Sequence, residues 1–97
     1  MLKLFEKYTM EEIKISVITT LFNYERYIGD AVKSFLKQGI PESEMVIVDD
    51  ASTDNPYRVL QKFQDDRIKV IKLDKNMGYS HAKNIGIKAC RGEIIVM

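Results

Sequence analysis

The sequence has little of several features that define particular classes of protein. It contains one cysteine in 97 residues, which excludes an intrachain disulfide, and no Cys/His cluster points to a structural metal. No apolar run approaches the roughly 20 residues of a membrane-spanning helix. The opening segment, MLKLFEKYTMEEIK, is too charged for the apolar core of a secretory signal. A reducing compartment is compatible with this composition, and we expect the protein in the cytoplasm.

The sequence also lacks an excess of charge of either sign. The 15 Lys and Arg residues nearly cancel the 14 Asp and Glu residues, leaving a formal net charge of +1. We therefore expect no long-range attraction to nucleic acid or to an anionic membrane. With 45% hydrophobic and 30% charged residues, the composition is that of an ordinary globular domain. The two prolines and five glycines stand at apparent element boundaries, so no internal linker is predicted.

Short apolar segments, rich in β-branched residues, alternate with helical patterns along the chain. Strands are predicted over residues 13–20 (IKISVITT), 45–48 (MVIV), 68–73 (IKVIKL) and 93–97 (EIIVM). The order β-α-β-α-β-α-β predicts an α/β fold, a Rossmann-like three-layer arrangement around a parallel sheet. Right-handed crossovers are expected between the strands.

The three predicted helices have recognisable boundaries. The first is expected to start at Asn23 as its N-cap and to end at Gly39. The second has Asp54 or Asn55 as a candidate cap, with Pro56 in its first turn. The third is predicted over residues 80–91. Its apolar face, like those of the first two helices, is expected to cover the sheet.

Polar clusters follow the first three predicted strands. They span residues 19–23, 49–55 and 74–78. In open parallel sheets, ligands bind at the carboxyl ends of the strands. The convergence of the three clusters at one edge therefore predicts a ligand site there. No G-x-G-x-x-G follows the first strand, which disfavours a dinucleotide phosphate loop.

The adjacent carboxylates of Asp49 and Asp50, in VIVDDASTDN, raise the question of a shared metal or ligand. Neighbouring side chains on an extended strand point to opposite faces. We therefore expect one of them to face the cleft and the other to accept hydrogen bonds from local backbone N–H groups. An Asx-type turn that leads into a helix is an equally simple interpretation.

Other polar and aromatic residues near the strand ends allow two interpretations each. The hydroxyl and ring of the segment VITTLFNYE can hold and stack a flat base, or can form a strand end with a core Phe. Lys83 lies near a helix start, where the helix dipole does not favour a cation. A nearby phosphate would relieve that conflict, although a solvated lysine is the simpler interpretation. His81 is interpreted as a surface or capping residue and Cys90 as part of the core.

Taken together, VITTLFN, VIVDDASTD and NMGYSHAKNIG resemble three motifs of the family 2 glycosyltransferases, in the same order and with matching element spacing. That family has the GT-A fold. The resemblance covers about residues 13–97, which would form the nucleotide-binding half of a glycosyltransferase domain. Residues 1–12 would be an N-terminal extension.

The resemblance implies that this half binds the nucleotide of a nucleotide-diphosphate-sugar donor, commonly UDP. Thr20 and Phe22 would then flank the uracil, with Phe22 stacking on it. Asp50 would accept a hydrogen bond from the base N–H, and Asn76 would reach the base edge or the nearby sugar. Lys83 stands where the family usually has an arginine near the base or phosphates. A lysine offers a point charge and loses the bidentate contacts of an arginine.

The resemblance also implies what this chain lacks. In the family, a metal-binding D-x-D follows the fourth strand, and this sequence stops at Met97, before such a motif. A divalent metal, Mn or Mg, is expected for the full-length parent, and no metal ligand or catalytic residue is predicted within the 97 residues. Asp49 would support the loop. The parent is expected to be an inverting transferase, whereas this chain alone is expected to bind UDP weakly and to be inactive.

Two other classes of function are compatible with parts of the pattern. A signalling receiver domain also has an acidic pair at a strand end, but there the pair follows the first strand. A non-catalytic α/β module is the second alternative. An unprotected fourth strand favours pairing with another chain, which makes a homodimer through the sheet edge a possible partner arrangement.

Overall fold

The computed structural model describes residues 13–96, which form four strands and three helices. The predicted extension, residues 1–12, and Met97 of the last predicted strand lie outside the described residues. The predicted alternation of strands and helices is confirmed. The elements are β1 (Ile15–Leu21), α1 (Glu25–Gln38), β2 (Ser43–Asp49), α2 (Pro56–Leu60), β3 (Ile68–Lys72), α3 (Tyr79–Ala89) and β4 (Glu93–Val96).

The four strands form one parallel sheet in the order β3-β2-β1-β4. The chain passes outward from β1 through β2 to β3, and then crosses back to place β4 beside β1. In the register of the central pair, Ile15 lies opposite Ser43 and Leu21 opposite Asp49. The strand order therefore reverses at β1, and the crevice at the carboxyl end of such a strand is where open α/β sheets bind ligands.

Both faces of the sheet are covered by helices, as predicted for a three-layer fold. All seven residues of β2 are buried, which explains why its central residues 45–48 form an unbroken apolar run rather than an alternating pattern. One face packs under α1 and α2 in a core formed by Leu21, Ile28, Val32, Phe35, Met45, Ile47 and Leu60. The other face packs under α3 in a smaller core centred on Val46, Val48 and Ala82.

The boundaries of α1 differ in part from those predicted. Gly39 ends the helix as expected, with a left-handed φ of 58° and its N–H donating to the Leu36 carbonyl at 3.1 Å. The prediction of Asn23 as the N-cap is wrong, because Tyr24 occupies that position and makes no side-chain capping bond. The side-chain oxygen of Asn23 instead accepts from the N–H of Thr53, 2.8 Å away in the loop after β2.

The helix α3 lies very close to the sheet. A Cβ built on Gly86 would stand 2.7 Å from Cγ2 of Ile18 and 3.3 Å from Cγ2 of Val48. Only glycine fits this contact without a shift of the helix or of the side chains beneath it. Cys90, just after α3, packs against the same core as predicted, and burial raises the pKa of its thiol.

A buried carboxylate lies near the amino-terminal edge of the sheet, which the sequence analysis did not anticipate. Glu44 is fully buried, accepts from the Ser16 hydroxyl at 2.7 Å and from the Arg91 N–H at 2.9 Å, and lies 3.1 Å from Lys69 Nζ. Burial opposes its ionisation, but these donors hold the pKa of Glu44 below its usual range. The group therefore joins β1, β2, β3 and the segment before β4 at the edge opposite the predicted site.

Candidate functional site

A cleft of about 340 Å³ opens at the carboxyl ends of β1 and β2, beside the start of α3. This is the edge at which the three polar clusters of the sequence were expected to meet. Its lining includes polar, aromatic and apolar side chains: Thr20, Leu21, Phe22, Tyr24, Asp50, Asn76, Gly78, Tyr79 and Ala82.

The structure brings four of the five predicted site residues into this one cleft. Thr20 and Phe22 come from the end of β1, Asp50 from the end of β2, and Asn76 from the loop before α3. Lys83 is not part of the lining. It is the fifth residue of α3, just past the first turn, and its ammonium lies 5.8 Å from the ring centre of a cleft-lining tyrosine, Tyr79.

Asp50 joins the cleft to the loop before α3. Its side chain is nearly buried, and its two carboxylate oxygens accept from the N–H groups of Met77 at 2.7 Å and Gly78 at 2.9 Å. Asn76 Nδ2 donates to the Asp50 carbonyl at 3.2 Å. A carboxylate has about four acceptor positions, and these two backbone bonds leave capacity for a further donor from the cleft.

Asp49 points to the other face of the sheet, as the strand geometry predicted. Its carboxylate accepts from the N–H of Ser52 at 3.0 Å and from the Tyr57 hydroxyl at 3.0 Å. Burial and the adjacent carboxylate raise the pKa of Tyr57. The expectation that Asp49 supports its own loop is confirmed by these contacts. The two adjacent carboxylates have separate partners and do not form a shared site.

The aromatic side chains around the cleft are unusually exposed for their size. Phe22 is 41% exposed, and Tyr24 and Tyr79 are 57% and 55% exposed. Exposed rings at a cleft are suited to stacking on a flat ligand. The sequence analysis identified Phe22 but missed Tyr24 and Tyr79. Their positions immediately beside two of the predicted polar clusters are the feature of the sequence that could have indicated them.

The residues described here do not fit a metal centre. In residues 13–96, no group of three or more His, Cys, Asp or Glu side chains is placed to hold a metal ion. Nor does any helix in that part of the chain have the length and apolar character needed to cross a membrane.

The open parallel sheet with helices on both faces defines an α/β domain of the Rossmann-like class. Comparison with known proteins then identifies the family. Residues 16–97 match the family described as glycosyl transferase family 2, and the chain belongs to that family. This assignment favours the glycosyltransferase interpretation over a receiver domain.

Curated relatives of this chain are also named glycosyltransferases. The chain is 41% identical over 83 residues to the putative teichuronic acid biosynthesis glycosyltransferase TuaG of Bacillus subtilis, which is 84% of this chain and 33% of that protein. It is 36% identical over 85 residues to the glycosyltransferase GlyG of Streptococcus pneumoniae, which is 86% of this chain and 28% of that protein. The chain thus spans about a third or less of the length of these relatives.

Solved structures share the fold. A crystal structure of residues 1–349 of TarS from S. aureus, in complex with UDP, superposes with a TM-score of 0.79 at 35% identity, covering 87% of this chain and 26% of that one. The mannosyltransferase PcManGT from Pyrobaculum calidifontis, in complex with GDP-Man and Mn²⁺, superposes with a TM-score of 0.75 at 25% identity, covering 84% and 26%. The predicted Rossmann-like, GT-A-type fold is confirmed.

Proposed function

We propose that residues 13–97 are the nucleotide-binding half of a glycosyltransferase domain and that the cleft holds the nucleotide of a UDP-sugar donor. The observation that carries the proposal is the meeting of Thr20, Phe22, Asp50 and Asn76 in one cleft at the carboxyl ends of β1 and β2. The fold shared with a TarS structure in complex with UDP supports the choice of nucleotide.

The chemistry of the lining residues suits a uracil base. The exposed ring of Phe22 offers a stacking surface, and Thr20 lies beside it at the strand end. Asp50 has acceptor capacity for a base N–H while it holds the loop before α3. Asn76 uses Nδ2 on the Asp50 carbonyl, which leaves its side-chain oxygen for the base edge or the ribose. The ammonium of Lys83 lies 5.8 Å from the centre of the Tyr79 ring, and we place the phosphates near it.

For the whole protein, we propose transfer of a sugar to an acceptor hydroxyl with inversion at the anomeric carbon. The acceptor oxygen forms a bond to the anomeric carbon while the bond between that carbon and the nucleotide diphosphate breaks. A carboxylate base takes the proton of the acceptor hydroxyl. A divalent metal would neutralise the leaving diphosphate. The relative crystallised with GDP-Man and Mn²⁺ supports this role for a metal. The protein ligands of this metal would lie outside the described residues, among which no group of three or more metal-ligating side chains is found.

The 97 residues alone are proposed to bind UDP weakly and to transfer no sugar. The test is a titration of UDP into the ¹⁵N-labelled chain, followed by amide NMR with and without Mn²⁺. We expect saturable shifts at Thr20, Phe22 and Asp50 that Mn²⁺ does not change. The absence of shifts at millimolar UDP would refute nucleotide binding by this chain. GDP in parallel tests the choice of base, and sugar release or transfer from a UDP-sugar donor would refute the proposed inactivity.

A pair of variants separates the cleft from the rest of the surface. Phe22→Ala removes the proposed stacking ring and should weaken UDP binding on the order of tenfold, since stacking of a base on an aromatic ring is worth about 1–3 kcal/mol. Val70→Ala removes a comparably exposed apolar side chain from β3, outside the cleft, and should leave the affinity unchanged. Equal effects of the two substitutions would contradict the proposed location.

Association through the sheet edge is a second proposal, which concerns partners rather than activity. In the described part of the chain, β4 is the last strand of the order and pairs on one side with β1. A strand with free N–H and C=O groups is a template for pairing. We propose that two copies of this 97-residue chain associate through β4. Sedimentation velocity over a hundredfold range of concentration tests it, and a constant monomer mass would refute it.

A further inference from the structure

Two loops at the cleft are joined by an unusually dense set of hydrogen bonds. We call residues 22–24, between β1 and α1, the first loop, and residues 50–55, between β2 and α2, the second loop. Glu25 follows the first loop directly, and its N–H donates to Asp54 Oδ2 at 3.0 Å. In return the N–H of Asn55 donates to Glu25 Oε1 at 2.7 Å, and this backbone bond is the main reason that the pKa of Glu25 is lowered.

The side chain of Asn23 stands at the centre of this junction. Its Oδ1 accepts from the Thr53 N–H at 2.8 Å, the Thr53 hydroxyl at 3.1 Å and the Asp54 N–H at 3.4 Å. Its own N–H donates to the Ser52 hydroxyl at 3.0 Å, and Ser52 is bound in turn to Asp49. The backbone of Asn23 has a φ of 59°, in the left-handed region that Asn, Asp and Gly adopt most readily.

In the sequence, Asn23 lies between two residues that line the cleft. Its sequence neighbours, Phe22 and Tyr24, both line the cleft and are 41% and 57% exposed, so packing holds them only in part. Asp50, which lines the same cleft, begins the second loop. A residue that ties the two loops together therefore sets the spacing between the exposed rings and the buried carboxylate.

We propose that Asn23 is a positioning residue for the nucleotide. Its side-chain oxygen clamps the two loops, so that Phe22, Tyr24 and Asp50 form a preformed slot before the ligand enters. A preformed slot binds more tightly because less ordering is needed on binding. This inference rests on the proposed nucleotide binding, and it adds a residue that does not itself line the cleft.

Two substitutions separate the clamp from the backbone. Asn23→Gly keeps the left-handed conformation but removes the accepting oxygen. Asn23→Asp also tolerates that conformation and retains an oxygen that accepts all three bonds. We expect Asn23→Gly to weaken binding of UDP on the order of tenfold, which corresponds to about 1.4 kcal/mol, and Asn23→Asp to stay within about twofold of the wild type on the same scale. Uridine, which has no diphosphate, should lose affinity by the same factor as UDP.

Amide hydrogen exchange gives a readout that does not depend on the ligand. The N–H groups of Glu25 and Asn55 bridge the two loops without touching Asn23. In folded Asn23→Gly protein, both should exchange faster, and in Asn23→Asp they should exchange as in the wild type. Unchanged exchange, or unchanged affinity in Asn23→Gly, would overturn the proposal. If the wild-type chain binds neither UDP nor uridine, the proposed function fails, and the exchange of these two amides alone decides whether Asn23 is a clamp.

Discussion

Asp49 and Asp50 are neighbours in the sequence, yet their carboxylates have no partner in common. Asp49 accepts from the Tyr57 hydroxyl at 3.0 Å, on the face covered by α1 and α2, whereas Asp50 accepts from the Met77 N–H at 2.7 Å, on the face covered by α3. Because successive side chains of a strand point to opposite faces, the two carboxylates are divided between the two faces of the sheet. One carboxylate holds the loop after β2, and the other holds the loop before α3 and lines the cleft.

This division predicts unequal effects of the same substitution. In Asp50→Asn, one carboxylate oxygen becomes an NH₂ group that faces a backbone N–H, which should cost about 1–3 kcal/mol of unfolding free energy and weaken UDP binding. In Asp49→Asn the amide can donate to the Tyr57 hydroxyl and still accept from Ser52, so a smaller loss of stability and unchanged UDP binding are expected. Urea unfolding and UDP titration measure both effects. Equal losses in the two variants would contradict the division.

The close contact of α3 with the sheet predicts that Gly86→Ala is destabilising. The added Cβ would stand 2.7 Å from Ile18 Cγ2, in a fully buried contact, so either α3 or Ile18 must shift. Overpacking typically costs about 1–3 kcal/mol, against a gain of up to about 1 kcal/mol from helix propensity. Gly29→Ala, on α1, is the matched control, because its one near neighbour is the Val59 Cγ1 methyl at 3.0 Å. Thermal unfolding of both variants tests the prediction, which fails if Gly86→Ala is the more stable one.

The buried Glu44 predicts an acid-sensitive part of the stability. Its pKa is lower in the folded chain than in the unfolded chain, so the folded state binds fewer protons and is favoured as the pH rises. Its contribution is complete above the unfolded value of about 4.3 and is lost as the pH falls through the lower folded value. Glu44→Gln removes the charge that faces Lys69. The midpoint of urea unfolding should therefore change less between pH 6 and pH 3 in this variant than in the wild type.

The control for this experiment is Glu93→Gln, at an exposed position of β4. It should leave the pH dependence close to that of the wild type. At pH 6, Glu44→Gln is also expected to lose about 1–3 kcal/mol, since a buried charged acceptor is removed from its donors. A Glu44→Gln variant with the acid dependence of the wild type would show that other carboxylates are responsible.

Lys83 is expected to act on the phosphates of UDP through its charge. Lys83→Ala should weaken UDP binding several-fold at low salt, with a smaller effect at about 0.5 M salt, because salt screens the charge of a side chain that reaches solvent. Uridine binding should be unaffected, and Lys83→Arg should retain UDP binding because it keeps the charge. Lys88→Ala removes an exposed lysine from the same helix and serves as the control. If uridine binding falls as much as UDP binding, Lys83 acts on the base or on the Tyr79 ring instead.

The order of elements could be predicted from the sequence because it depends on local patterns. The apolar run of β2 and the helical spacing of Ile28, Val32 and Phe35 are visible without any tertiary contact, and the structure buries these residues. The predicted ends of the strands and helices were less accurate. The predicted start of β2 at Met45 missed Ser43 and Glu44, because a charged residue in a strand is recognisable as buried only once Ser16 and Lys69 are placed beside it.

By itself, the sequence determined the α/β alternation, the family motifs and the edge of the sheet at which polar side chains meet, since all three follow from residue type and spacing along the chain. Only the tertiary structure decided which side chains line the cleft, that Asn23 clamps two loops instead of capping a helix, and that Asp50 already carries two backbone bonds. The reason is physical. These facts depend on contacts between residues about 27 to 30 positions apart, and their partners are set by how strands and helices pack rather than by any local preference.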